Sequence, residues 1–229
     1  MTRLSFNGYT KGGVETVTVE IADLVIAGWT GRDVTALNHH IEELKAIGVQ
    51  PPSKVPLYYR VAAQMLTQAE TIEVLGEDTS GEVEPVLVGA SDRLWVTLGA
   101  DHTDRKLESH GVALSKQICA KAVGRTAWRF EDVERHWDRL VLRSFVPEGG
   151  KRVLYQEGPL SNIRTPRELI AGWRKGDDKL PAGAAMFCGT LPAIGGIRPA
   201  PRFEMELDDP VLGRKLTHGY HVQSLPIVS

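Results

Sequence analysis

The chain has 229 residues, and its 27 Lys and Arg nearly cancel 29 Asp and Glu to leave a formal charge of −2, so it offers no strong field to nucleic acid or to an anionic membrane. Apolar residues at 42% and charged residues at 24% exclude disorder and promise a sizeable core. Glycine (23) and proline (13) together exceed the ~12% of ordinary usage, which points to many turns between short strands. Length leaves one large domain or two small ones open. Cys119 and Cys188 make neither a disulfide framework nor a zinc pattern, and the start MTRLSFNGYTKGG lacks the apolar run of a signal peptide, so a reduced, cytoplasmic protein is expected. No stretch reaches the ~20 apolar residues of a membrane span.

In chain order, LSFNGYT and the alternating TVTVEI flank a KGG turn, the pattern of an N-terminal hairpin. Val34, Leu37, Ile41, Leu44 and Ile47 recur at helical spacing, predicting a helix over 33–47 that ends at Gly48. PPSKVP breaks regular structure, and 60–68 reads as a short helix. TIEVLG, EVEPVLVG and RLWVTLG read as a three-stranded meander, followed by the polar loop DHTDR and a short helix over 115–123. A helix over 130–136 leads into LVLRSFV, an EGG turn and RVLYQEG. T-P-R-E at 165–168 is a capping box with proline at the first helical position. AAMFCG, a Gly/Pro-rich loop, FEMEL and KLTHGYHV complete an α+β, β-rich chain with few helices. Strands and helices do not alternate as in a doubly wound sheet.

Several residues carry chemical potential. His40 and Glu43 are three apart on the first helix, with His40 at the border of the apolar stripe; the pair reads either as a solvated helix-surface contact or as a general base with its orienting carboxylate. Glu82 and Glu84 point to one face of a strand, either screened by water on an edge, which Pro85 suits, or gathered around a cation. Asp101, at the end of the following strand, would complete an all-oxygen site suited to Mg²⁺, Mn²⁺ or Ca²⁺ rather than zinc. Lys116 is a snorkelling lysine or one aimed into a polar site. GTLPAIGG either turns a corner or brings backbone amides to a ligand. There is no P-loop, dinucleotide fingerprint, G-x-S-x-G elbow or H-E-x-x-H.

Taken in order, GRDVTALNHHIEE, GEVEPVLVG, GADHTDR, VALSKQIC and GTLPAIGG resemble the successive motifs of the fumarylacetoacetate hydrolase family, over roughly residues 28–222. The resemblance implies a mixed β-roll or sandwich with peripheral helices, built as a homodimer. It implies that Glu82, Glu84 and Asp101 bind a divalent metal, Mg²⁺ or Mn²⁺, and that His40 and Glu43 are base and orienting partner. Lys116 becomes a cationic stabiliser, and Thr190, Arg105, Gln156 and Tyr59 become contacts to a small carboxylate substrate. Departures accompany the match: the segment from Glu84 to Asp101 is shorter than in the family, one extra residue precedes the proline of GTLP, and Tyr58-Tyr59-Arg60 replaces a Phe-x-Lys-Pro stretch. The implied activity is hydrolysis of a C–C bond in a 2-oxo or β-diketo acid; decarboxylation, tautomerisation or hydration would use the same site, and a non-catalytic binding scaffold is the rival of another class. Motifs running from residue 40 to residue 190 predict one domain over 1–229, with the hairpin and helix in 1–50 and the β-rich part in 51–229.

Overall fold

The computed structural model describes residues 1–46 and 51–228; within the first helix, the side chains of residues 36, 39, 40, 43, 44 and 46 also lie outside the described residues. The hairpin forms as β1 (Thr2–Thr10) and β2 (Gly13–Ile21), followed by β3 (Asp23–Gly28) and α1 (Val34–Ala46). Next come β4 (Leu57–Val61), β5 (Leu66–Thr67), β6 (Thr71–Leu75), β7 (Thr79–Ser80), β8 (Val83–Gly89), β9 (Leu94–Asp101) and β10 (Thr103–Asp104). Short helices α2 (Arg105–Glu108) and α3 (Val112–Gln117) precede β11 (Lys121–Val123), β12 (Thr126–Arg129) and α4 (Phe130–Val133). The chain closes with β13 (Val141–Glu148), β14 (Lys151–Pro159), α5 (Pro166–Trp173), β15 (Ala184–Phe187), β16 (Arg202–Asp209) and β17 (Arg214–Leu225).

One mixed sheet runs β2-β1-β12-β9-β8-β15-β3-β4, with β11 joining β9 to β5, and a second runs β14-β13-β16-β17-β6. The strand-rich α+β expectation therefore holds. Along β8 every residue is buried, because alternate side chains enter different cores. Val83 and Leu87 join Phe203, Leu207 and Tyr220 of the second sheet in a core between the sheets. Val86 and Val88 join Phe6, Ile26, Trp95 and Phe187 on the other face, where the curled sheet folds round its own interior.

Four local expectations are corrected. Residues 60–68 hold no α-helix: Leu57-Tyr-Tyr-Arg-Val pairs as strand with β3, as an aromatic and β-branched run prefers, and only a single 3-10 turn follows. The predicted meander splits, since TIEVL leaves the β8–β9 hairpin and pairs in parallel with β17 in the other sheet. The helix predicted over 115–123 is already under way at Val112 and stops at Gln117, and Lys121–Val123 is strand, paired with both β9 and β5. Nor is β8 an edge, for it lies between β9 and β15. The helix start at Thr165 is as the sequence indicates, with Thr165 and Glu168 forming a reciprocal capping box.

Candidate active site

The β8–β9 register brings acids together. Glu84 lies opposite Gly99, and the Asp101 amide donates to the Glu82 carbonyl at 2.9 Å, so Glu82 and Asp101 face each other across the hairpin with Glu84 one step along the same face. That face continues through Val86 and Trp95 into the interior core, and the three acids cap its end. Oxygens of Glu82, Glu84 and Asp101 lie within 4.8 Å of one another, a separation at which like charges repel strongly without compensation.

Compensation comes from short elements after β9. Asp104 caps α2 by accepting from the Leu107 amide, which turns Arg105 back towards the acids. Its Nε donates to Ser80 Oγ at 2.7 Å, Nη1 to Glu108 at 3.0 Å, and Nη2 lies 3.1 Å from Glu82 Oε1. From α3, Lys116 Nζ bonds Asp101 Oδ2 and lies 3.4 Å from Glu82 Oε2. From β11, Lys121 Nζ stands 2.9 Å from Asp101 Oδ1 and donates to the His102 carbonyl at 2.5 Å; the contact to Oδ1 is an ion pair outside hydrogen-bond geometry. Glu84 accepts from the Gly189 amide at 2.6 Å.

The electrostatic consequences differ for the three acids. Burial alone would raise the pKa of Asp101, but Lys116 and Lys121 outweigh it and hold the group at about 2. Burial likewise opposes ionisation of Glu82, and Arg105 and Lys116 overcome it, keeping this carboxyl below its usual range. For Glu84, burial and the neighbouring Asp101 win over Lys116, and its pKa lies well above the ordinary value. Lys116 is held charged: burial would lower its pKa, and the three carboxylates reverse that. The donors of this group are all oxygen, the set that hard divalent cations take, and a cation among them would offset the repulsion from Asp101 and Glu82 that helps to raise Glu84. The residues present fit such an ion.

Tyr59, Thr190 and Gln156 lie beside this group. Tyr59 accepts from Trp29 Nε1 at 3.2 Å, and its ring centroid is 6.0 Å from Lys116 Nζ. Thr190 follows Gly189 and donates to the Val83 carbonyl at 2.8 Å. Gln156, on β14, reaches from the second sheet: its Oε1 accepts from Val83 N and Ser144 Oγ at 3.1 and 2.8 Å, and its Nε2 donates to Thr190 Oγ1 at 2.9 Å and the Leu191 carbonyl at 2.5 Å. His40 and Glu43 belong to α1, and their side chains lie outside the described residues. Sequence reasoning missed Lys121, His102 and Ser80; the only signal was a second lysine five residues after Lys116 within an apolar stretch. A surface groove of about 510 Å³ along β2 and the turn near Arg93 holds none of these residues, whereas one of about 350 Å³ includes Arg105 with Asp78, Lys106, Ile197 and Pro199.

Comparisons with known proteins agree with this architecture. A family model described as "Protein of unknown function (DUF2848)" matches residues 27–220. No curated protein matches the sequence. Among solved structures, the chain is similar to a protein assigned as a fumarylpyruvate hydrolase from Burkholderia cenocepacia, with TM-score 0.64 and 17% identity over 99% of this chain and 97% of that one. It is similar to a protein assigned to the fumarylacetoacetate hydrolase family from Yersinia pestis CO92, with TM-score 0.64 and 13% identity over 96% and 100% of the two chains. It is also similar to a 2-keto-3-deoxyarabinonate dehydratase, with TM-score 0.66 and 15% identity over 95% and 79%. The fold is that of fumarylacetoacetate hydrolase-like proteins, in a divergent sequence.

Proposed function

From the premise that the chain belongs to the DUF2848 family, we propose that it is a metal-dependent hydrolase of C–C bonds in a small 2-oxo or β-diketo acid of the acylpyruvate type. The observation that carries this is the buried group Glu82, Glu84 and Asp101 with Lys116 beside it, set in a fold shared with proteins assigned to fumarylpyruvate and fumarylacetoacetate hydrolysis. The three carboxylates would hold Mg²⁺ or Mn²⁺, which supplies a Lewis acid for the negative charge that develops as the C–C bond breaks.

The chain's own residues do the rest. Lys116 binds the substrate's carboxylate, and Thr190, Tyr59 and Arg105 border the place it occupies. His40, oriented by Glu43, takes a proton from the water that attacks the distal carbonyl. The bond from that carbonyl carbon to the adjacent CH₂ then breaks. The distal half leaves as a carboxylic acid, and the CH₂ carbon regains a proton to leave as the methyl group of a 2-oxo acid. Lys116 faces the charge on the departing half.

The test follows acylpyruvate cleavage in the ultraviolet while Mn²⁺ is titrated into metal-free protein. Glu84→Gln is expected to lose Mn²⁺ binding and to lower kcat/KM by more than the about 100-fold that loss of a partner behind a metal ligand costs. Full activity of the wild-type protein in chelator would sink the scheme.

A further inference from the structure

Asp101 carries two ammonium groups where one would neutralise it. Lys116 meets Oδ2 from α3, and Lys121 meets Oδ1 from β11. The two lysines are held differently. Lys116 divides itself between Asp101 and Glu82 and keeps 6% of its surface exposed. Lys121 is 0% exposed, stands directly opposite Asp101 in the β9–β11 register, and is tied to the His102 carbonyl. That carbonyl is fixed in turn, because the His102 ring is bonded on both sides, to Tyr220 OH and to Thr79 Oγ1, each at 2.9 Å. Complete burial of an ammonium costs several kcal/mol unless its partners are well placed, and a carboxylate already paired with Lys116 needs no second cation for its own neutrality. The surplus charge has a use if Lys116 is to leave Asp101 for another anion.

We infer that Lys121 is a positioning residue that sets the charge of the carboxylate group: by holding Asp101 Oδ1 it leaves Oδ2 as the oxygen Asp101 offers, and it reduces three negative charges to two, the charge of one divalent cation. This rests on the reading that Glu82, Glu84 and Asp101 hold such an ion. Arg105 lies 3.1 Å from Glu82 and 3.0 Å from Glu108, and because Glu108 brings a further negative charge the pair leaves the count unchanged. With a cation among the acids, the charge of Lys116 is no longer compensated, and it is available to the carboxylate of a substrate.

The experiment is calorimetric titration of Mn²⁺ into the wild-type protein and into Lys121→Gln, which keeps a donor for the His102 carbonyl but not the charge. The variant is expected to bind Mn²⁺ more tightly, by at least about tenfold, since a unit charge roughly 5 Å from a divalent ion is worth about that factor even at the dielectric constant of water. A lysine that only supported the fold would leave the affinity unchanged or weaken it on removal. Equal or weaker binding by the folded variant, with the wild type binding, overturns this inference alone; no binding by the wild type overturns the functional reading and this inference with it. A crystal structure of the Mn²⁺-loaded wild type decides the point without a variant. Lys121 still on Oδ1 with Oδ2 at the ion is expected, and both oxygens on the ion, or Lys121 displaced, overturns the inference.

Discussion

At the scale of single residues, His102 shows how burial becomes a pH dependence. Its ring is enclosed and bonded on both nitrogens, and burial, with Lys121 and Arg105 adding to it, pushes its pKa down to about 3 from 6.5. An unfolded histidine takes up its proton near 6.5 while the folded one does not until about 3, so the unfolded chain binds more protons across that window. The contribution of His102 therefore falls as pH drops below 6.5, by up to about 1.4 kcal/mol per pH unit. Burial also lowers His218 from 6.5 and raises Glu84 well above its ordinary value, so the share of His102 is the difference between the wild type and a variant without its ring. In denaturant melts of metal-free protein from pH 7 to pH 4, the wild type should lose more stability than His102→Gln, and an equal loss would show that His102 does not contribute. The acids were legible from E-x-E and a following strand end. His102 was not, since a histidine in a polar stretch gives no sign that Tyr220, 118 residues away, will close over it.

At the scale of elements, the end of β15 decides how Glu84 is held. Gly189 sits at φ +102, and a Cβ there would lie 1.8 Å from Thr30 Oγ1. The glycine lets the chain pass Thr30 and aim its amide at Glu84. Gly189→Ala is expected to cost about 1–3 kcal/mol of strain and to weaken Mn²⁺ binding, read by thermal melts with and without the ion. An undiminished Mn²⁺-induced rise in Tm would show that the Gly189 amide is dispensable to Glu84. Elements with complete local signals, such as the capped α5 and the hairpin β1–β2, were legible in advance. The stretch after Lys116 was not: its alanines and lysine suit a helix locally, and β-pairing of Lys121 with Asp101 and Leu66 overrides that preference.

At the scale of the molecule, Gln156 ties the second sheet to the site. Its amide accepts from Val83 and Ser144 and donates to Thr190 and Leu191, and it is 2% exposed. Gln156→Leu removes the bonds without emptying the space, leaving buried groups without these partners at about 1–3 kcal/mol each. A loss of at least about 2 kcal/mol in denaturant unfolding is expected on that basis; a change within about 0.5 kcal/mol, as at an ordinary surface position, would show that the sheets do not depend on this residue. Among the described residues no helix is long and apolar enough to cross a membrane, and the near-zero net charge conceals a local concentration of three acids and three cations.

The amino-acid order by itself determined what depends on neighbours a few residues apart: the β-rich character, the helix over Val34–Ala46, the cap at Thr165 and the same-face placement of Glu82 and Glu84. Periodicity and capping act within one or two turns of chain, so they are written locally. Only the tertiary structure decided that TIEVL leaves the hairpin for the second sheet, that β8 is central, and that Asp101 meets two lysines while Glu84 meets none so closely. Those outcomes depend on cross-strand register and burial, and the energy of a charge is set by the groups packed round it in space, most of them distant in sequence.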